Sequence, residues 1–296
     1  MMKRKFTCFL VILIIIPFLG GCWNQKELTD LAFVMALGVD RGENDQGYKV
    51  TFQIVNPGNV STGQMGGGGG VPIAVYKSSG ENLTDAARNA TKKLSRQLYY
   101  AHTNVVVISE ELAAEEGILN ILDALDRDPV FRTTTQLVIA RGTTAETMLS
   151  TLTILDKLPV NNITKSLQVT ENMLGENIKV TVDDVISSIV SSGKVTIANG
   201  FQLVGKKSHG KNKANLDSTI PDVIIKTDGL AIFKKGKLIG WIDGKKARGV
   251  VWVLDKIKGT DINIDWNGKH NAISLISIRA KSKVSATVKN GRLLFI

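Results

Sequence analysis

Both cysteines of this chain, Cys8 and Cys22, fall within its first 22 residues. No disulfide, thiolate metal site or cysteine nucleophile is left for the remaining residues, so the body of the chain must be held together by apolar burial. Its composition permits this. A hydrophobic content of 43% with 22% charged residues over 296 positions belongs to a globular chain, long enough for two ordinary domains or one large one. The formal charge of +10 is unevenly placed: residues 23 to 192 carry 14 basic and 20 acidic side chains, and residues 193 to 296 carry 20 and 7.

The amino terminus has the order of an export signal. Lys3, Arg4 and Lys5 precede the uncharged run Phe6 to Phe18, then Leu19-Gly20-Gly21-Cys22. Thirteen uncharged residues fall short of the roughly 20 apolar ones needed to cross a bilayer as a helix, which weighs against an uncleaved anchor. Cysteine directly after small residues, with Leu19 three positions before it, resembles the lipobox at which diacylglycerol is attached to the thiol and the chain is cleaved between Gly21 and Cys22. An ordinary secretory signal with a chance cysteine is the alternative; the polar onset after Trp23 opposes it. Two or three acyl chains hold stably in a membrane where one holds marginally, so residues 1–21 are expected to be lost and Cys22 to tether the rest.

Residues 22–192 read as an α+β domain with a mixed sheet and flanking helices. Leu31 to Val39 predicts a deeply buried strand, and Tyr48 to Ile54 alternates as a strand with one buried face. Gly58 to Gly70, with its five consecutive glycines, predicts a mobile loop. A phosphate-cradling role fails there, because Val71-Pro72-Ile73 follows where a Lys-Ser/Thr pair opening a helix is required. Asn82 caps a predicted helix running to Leu98. Val105 to Ile108 and Leu137 to Ala140 predict strands, Ile118 to Leu125 a helix stopped at Asp128-Pro129, and Thr143 with Glu146 a capping box. Thr181 precedes a further helix to Val190.

From Ser191-Ser192-Gly193 the pattern becomes strand after strand, with no convincing helix longer than two turns. Residues 193–258 predict a second, β-rich domain: strands over Val195 to Val204, Gly229 to Phe233 and Leu238 to Ile242, and an ambiguous stretch over 246–257. Residues 259–296, with Asn267-Gly268 and Asn290-Gly291 as hairpin turns, predict the β-meander that begins a third α+β domain, incomplete in this chain.

Signatures of chemistry are scarce. His102, His209 and His270 are scattered without zinc-site spacing, and no G-x-S-x-G or S-x-x-K occurs, so no catalytic residue, metal ligand or cofactor site is expected. Glu110-Glu111 and Glu115-Glu116 offer paired carboxylates for glycan cleavage, or acids suited to the positive head of a helix. Asp123, Asp126 and Asp128 around Arg127 and Arg132 read as local ion pairing or as a turn organised by a buried Arg. The cluster Lys234, Lys235, Lys237, Lys245, Lys246 and Arg248 suits an anionic lipid surface or a solvated hairpin; an exported address makes nucleic acid an improbable partner.

Gly21-Cys22-Trp23-Asn24-Gln25-Lys26-Glu27-Leu28, with Asp30-Leu31-Ala32 and Ala36-Leu37-Gly38-Val39-Asp40, resembles the start of the Ger(x)C family, the C-subunit lipoproteins of bacterial spore germinant receptors. The likeness continues in Tyr99-Tyr100-Ala101-His102 leading to Val107-Ile108-Ser109-Glu110-Glu111, in Asp126-Arg127-Asp128-Pro129 with Arg132, and in Gly229 to Gly240. It implies a three-domain α+β lipoprotein without enzymatic activity, anchored through Cys22 at the outer face of the spore inner membrane and working with membrane-embedded A and B receptor subunits. A solute-binding lipoprotein feeding a transporter and a cell-wall hydrolase using the Glu110 to Glu116 acids are the competing readings.

Overall fold

The computed structural model describes residues 4–6, 27–43, 47–60, 70–156, 158–191, 193–277, 279–283, 285–289 and 292–295. Cys22, most of the apolar leader, the glycine run before Gly70 and the Asn290-Gly291 turn lie outside them. The architecture is mixed α+β.

Nine strands build the main sheet: β1 (Leu31–Arg41), β2 (Tyr48–Val55), β3 (Ile73–Gly80), β4 (Gln97–Tyr99), β5 (Val105–Ser109), β6 (Gln136–Ala140), β7 (Thr196–Gly205), β8 (Val223–Lys234) and β9 (Lys237–Ile242). Their order is β3-β2-β1-β5-β6-β7-β8-β9, with β4 beside the first residues of β1. The central strands β1, β5, β6 and β7 are parallel, while β2–β3 and β8–β9 flank them as antiparallel hairpins. The sheet thus continues across residue 193, with Val138 opposite Asn199.

Helices cover both faces. On one lie α1 (Leu83–Ala90), α2 (Glu110–Glu115) and α3 (Leu119–Arg127); on the other lie α4 (Ala145–Ser150) and α5 (Pro159–Met173). Helices α6 (Val182–Val190) and α7 (Gly244–Val253) complete the first face. A strand covered on both sides needs no polar alternation, which is why Val105 to Ser109 is an unbroken buried run: Val106 and Ile108 enter one core, Val105 and Val107 the other. Each such side chain taken fully from water contributes roughly 1.5–3 kcal/mol.

Two layers of helix also explain β2, whose expected one-sided burial does not hold. Thr51 and Gln53 are fully buried, and Gln53 Nε2 donates to Leu149 O at 2.8 Å, because α4 closes over the face that alternation assigned to water. The helix after Asn82 does end early. Asn82 Oδ1 accepts from Asp85 N at 2.9 Å as expected, but α1 stops at Ala90 and Leu98 joins β4, where Gln97 to Tyr99 supply the edge that Leu31 to Phe33 require. Thr144, not Thr143, caps α4; Asp40 takes the first two amide protons, which leaves Glu146 free of a capping box. Thr181 and Asp184 do form the reciprocal box of α6.

The ambiguous stretch is the ten-residue helix α7, longer than two turns, with Ala247 and Val251 buried against the sheet. Beyond it, β10 (Thr260–Trp266) and β11 (Lys269–Ser277) turn through Asn267 and Gly268 at φ 48° and 73°, as the Asn-Gly pair predicts. Strands β12 (Ala286–Lys289) and β13 (Arg292–Phe295) pair only with each other among the described residues, so two ribbons stand where a meander was expected. The connection is held elsewhere: Ser282 Oγ donates to Trp252 O at 3.0 Å and Ser282 N to Asp255, drawing it back to the end of α7.

Candidate functional site

Two of the stretches that carry the family resemblance, Tyr99 to His102 and Asp126 to Arg132, lie far apart in sequence and meet at the amino ends of the parallel strands. Register brings them there. β4 pairs with residues 31–33 of β1 and β5 with residues 36–39, so the intervening loop must stay alongside Val34 and Met35. It does so through Thr103 Oγ1 donating to Val34 O at 3.1 Å and Asn104 N to Met35 O at 2.9 Å. The next loop is bound in turn: Thr135 Oγ1 donates to Thr103 O at 2.9 Å, and Gln136 N to Asn104 O at 3.1 Å. Residues 177–181 complete the row, with Leu137 N donating to Val180 O and the buried Asn199 side chain bridging Ile178.

Within this edge the residues divide into an aromatic knot, a cavity and a polar groove. Phe33, Tyr99 and His102 pack ring to ring at 5.6–5.9 Å, beside the point where the chain enters β1. Tyr100 points the other way, against Phe52 at 6.4 Å, into an apolar cavity of about 210 Å³ bounded by Leu37, Leu83, Leu98, Leu125 and Phe131. Burial, reinforced by the nearby charge of Asp128, pushes the Tyr100 phenol well above its usual range, so it stays protonated as a hydrogen-bond donor. Arg88, Gln97 and Asp128 give that cavity a polar rim.

The Asp126 to Arg132 turn is organised by a carboxylate, and the buried Arg considered for it is not found. Asp128 Oδ1 accepts from Val130 N at 2.8 Å and Phe131 N at 3.1 Å, turning the chain after α3 so that Phe131 is buried. Arg127 is 77% exposed and pairs with Asp123 one helical turn back, while Arg132 is exposed.

The opposite, carboxyl end of the strands has a different chemistry. Asp40 is buried and accepts from Ala145 N at 2.7 Å and Glu146 N at 2.9 Å; burial outweighs these bonds and holds its carboxyl above the usual value. Arg141 bridges Asp228 at 2.9 Å and Asp243 at 2.7 Å with its guanidinium 4.5 Å from the Trp241 ring centre, and Asp243 in particular raises its pKa further. Trp241 Nε1 donates to Glu110 Oε1 at 2.7 Å, and Glu110 Oε2 accepts from Gly142 N at 2.7 Å. Gly200 is required beneath this network, since a Cβ there would sit 2.3 Å from Asp228 O and 2.4 Å from the Trp241 ring.

The four acids proposed for glycan cleavage therefore do not converge. Glu110 and Glu111 head α2, whereas Glu115 and Glu116 end it and both engage Arg41. His209 and His270 pair separately with Asp222 and Asp265. The basic cluster is also divided: Lys237 donates to Glu115 O, and Arg248 reaches Asp261 O at 2.6 Å and Glu176 at 3.4 Å. Among the described residues, no helix is long and apolar enough to cross a membrane.

Family models for the "Spore germination protein N-terminal domain" and for "Spore germination B3/ GerAC like, C-terminal" match residues 24–201 and 228–296. Similar proteins of Bacillus subtilis (strain 168) include "Spore germination protein KC", 42% identical over 98% of this chain and 72% of its own length, and "Putative spore germination protein YfkR", 29% identical over 99% and 72%. "Spore germination protein B3" is 25% identical over 97% of this chain and 71% of its own. The crystal structure of the GerBC protein matches 88% of this chain and 67% of its own at 20% identity, with a TM-score of 0.42. The edge formed by Tyr99 to His102 and Asp126 to Arg132 thus lies within the first matched region, and the chain belongs to the Ger(x)C family of spore germinant receptor C subunits, with a role in spore germination.

Proposed function

We propose that this chain is a non-catalytic, membrane-tethered subunit that stabilises or couples a nutrient germinant receptor. Diacylglycerol on Cys22, after cleavage between Gly21 and Cys22, holds it at the outer face of the spore inner membrane, beside membrane-embedded A and B subunits. The convergence of Tyr99 to His102 and Asp126 to Arg132 beside the start of β1 carries this reading. Leu31 lies nine residues after Cys22, so about 30 Å of extended chain at most separates the tether from this edge. Tethering raises the effective concentration of that edge toward membrane partners without any catalytic group. Radiolabelled palmitate must enter the wild type and not Cys22→Ala, and multi-span A or B subunits must co-purify from detergent extracts. Equal labelling of both proteins, or reproducible absence of those subunits at native expression, overturns the respective part.

The division into units 22–192, 193–258 and 259–296 belongs to the same proposal. The first two share one hydrogen-bonded sheet across β6 and β7, and are expected to unfold in a single transition. Capture of a small solute is a second reading, favoured by the Tyr100 cavity; its test is a ligand-induced rise in Tm that Tyr100→Phe reduces.

A further inference from the structure

A second depression lies beside the aromatic knot, a polar groove of about 380 Å³ lined by His102, Asn104, Arg132, Thr134, Gln136 and Lys179, among others. Its chemistry is one-sided. Arg132 and Lys179 contribute two cations, no carboxylate lines the groove, and neither side chain has an ion pair among the described residues. Amides, hydroxyls and the His102 imidazole supply the remaining polar surface. Gln136 Oε1 is buried without a hydrogen-bond partner. The Gln136 amide thus keeps hydrogen-bonding capacity that the protein itself does not satisfy.

We infer that this groove binds a phosphate oxyanion, as a phosphodiester headgroup of an anionic lipid or as free phosphate. Arg132 offers a planar fork matched to two phosphate oxygens and Lys179 a point charge, with Asn104, Thr134 and Gln136 as neutral donors. The elements holding the groove are fixed independently of any ligand. Thr103 and Thr135 hydroxyls bind neighbouring carbonyls, and Lys179 N donates to Glu171 Oε1, a carboxylate already paired with Lys258 at 2.8 Å. The open groove at the carboxyl end makes the contrast. Lys207 and Lys211 line it too, but Glu146 shares the lining and Lys207 Nζ is committed to Gly142 O at 2.6 Å. The headgroup source rests on the tether reading, since it requires this edge to face the bilayer; the free-phosphate source does not.

The test is acetylation of Lys179 by limiting reagent on the full lipidated chain, read by mass spectrometry against the exposed Lys226. Phosphatidylcholine vesicles are compared with vesicles containing about one-third phosphatidylglycerol, and with phosphatidylcholine vesicles plus millimolar inorganic phosphate. Anionic lipid is expected to slow Lys179 modification roughly threefold or more, with Arg132→Gln removing most of that protection. Protection by inorganic phosphate alone keeps the oxyanion site and assigns it to free phosphate. Unchanged Lys179 reactivity in both arms, or protection that survives Arg132→Gln undiminished, overturns the inference. The same digest reports the mass of the Cys22 peptide, so an unmodified cysteine sinks the tether separately from the groove.

Discussion

The two ends of the parallel strands are finished in opposite ways. Open α/β sheets usually bind their ligands beyond the carboxyl ends of the strands, where loops and helix starts converge. In this molecule an open groove remains at that end beside α4, but most of the charges around it are committed within the fold: Asp40 on the α4 amides, Arg41 on Glu115 and Glu116, and Arg141 on Asp228 and Asp243. The amino end leaves Arg132 and Lys179 without ion pairs among the described residues and holds an open groove and an apolar cavity. Charges committed to one another stabilise a fold, whereas charges left to solvent are available to a partner. The comparison assigns structure to one end and recognition to the other.

Substitutions at the carboxyl end are therefore expected to act on stability, and Gly200→Ala most of all. Its Cβ meets backbone Asp228 O and the Trp241 ring together, and neither can retreat without breaking the β7–β8 ladder or the Arg141 network. A loss of about 3 kcal/mol is expected, in the upper range for overpacking, with the urea midpoint falling at unchanged slope. A midpoint equal to that of the wild type would mean that the network is loose and the contrast between the ends is wrong.

Arg141→Ala comes next. It strands Asp228 and Asp243 near one another and uncovers Trp241, but Asp243 is 57% exposed and solvent screens part of the repulsion. About 1–2 kcal/mol is expected, below the 3–5 kcal/mol typical of breaking a fully buried pair. Arg141→Lys should recover only part, because a point charge cannot bridge two carboxylates and lie flat on an indole as a guanidinium does.

At the amino end the expectation reverses. Arg132→Gln with Lys179→Gln should change stability by no more than about 0.5 kcal/mol, the range for exposed side chains without partners. Germination of spores carrying this variant as their only copy should nevertheless slow measurably in response to nutrient. A variant that unfolds, or one that germinates at the wild-type rate, breaks the assignment of recognition to this end.

Much of the sheet was legible in residue order. Val105 to Ile108 and Leu137 to Ala140 are apolar runs too short for helices, and Asn82 and Thr181 are caps whose hydroxyl or amide oxygens find the expected amides. Helix α5 was not legible, because Asn, Thr and Ser interrupt its buried positions Val160, Ile163 and Leu167, and the next place on that face is taken by the buried Glu171. The burial of Thr51 and Gln53 depends on α4 arriving from almost a hundred residues away. The edge itself follows from strand register: nothing in the local order of Tyr99 to His102 or Asp126 to Arg132 says that β4 and β5 both pair with β1, over successive residues. Arg132 and Lys179 become a pair only once residues 177–181 lie beside β6.

The smallest effect sharpens the comparison through pH. Burial acts to raise the Glu146 carboxyl, but hydrogen bonds and charge from Lys49 and Lys77 outweigh it and leave the group below its usual value; Glu146 reciprocally raises Lys49. A lowered carboxyl stabilises the fold above its unfolded value, and that contribution disappears as pH falls through the lower, folded value. Asp40 runs the other way: its raised carboxyl favours the fold in acid, and that contribution is lost as pH rises through the folded value. Glu146→Gln is therefore expected to be less stable than the wild type by about 0.5 kcal/mol at neutral pH, given the partial exposure of all three side chains, and to match it only once the pH has fallen below the lowered, folded value of that carboxyl. Paired urea titrations at several pH values measure the difference directly. A gap that persists undiminished in acid would mean that Glu146 acts by packing, and that the charges at the carboxyl end are less committed to one another than their geometry implies.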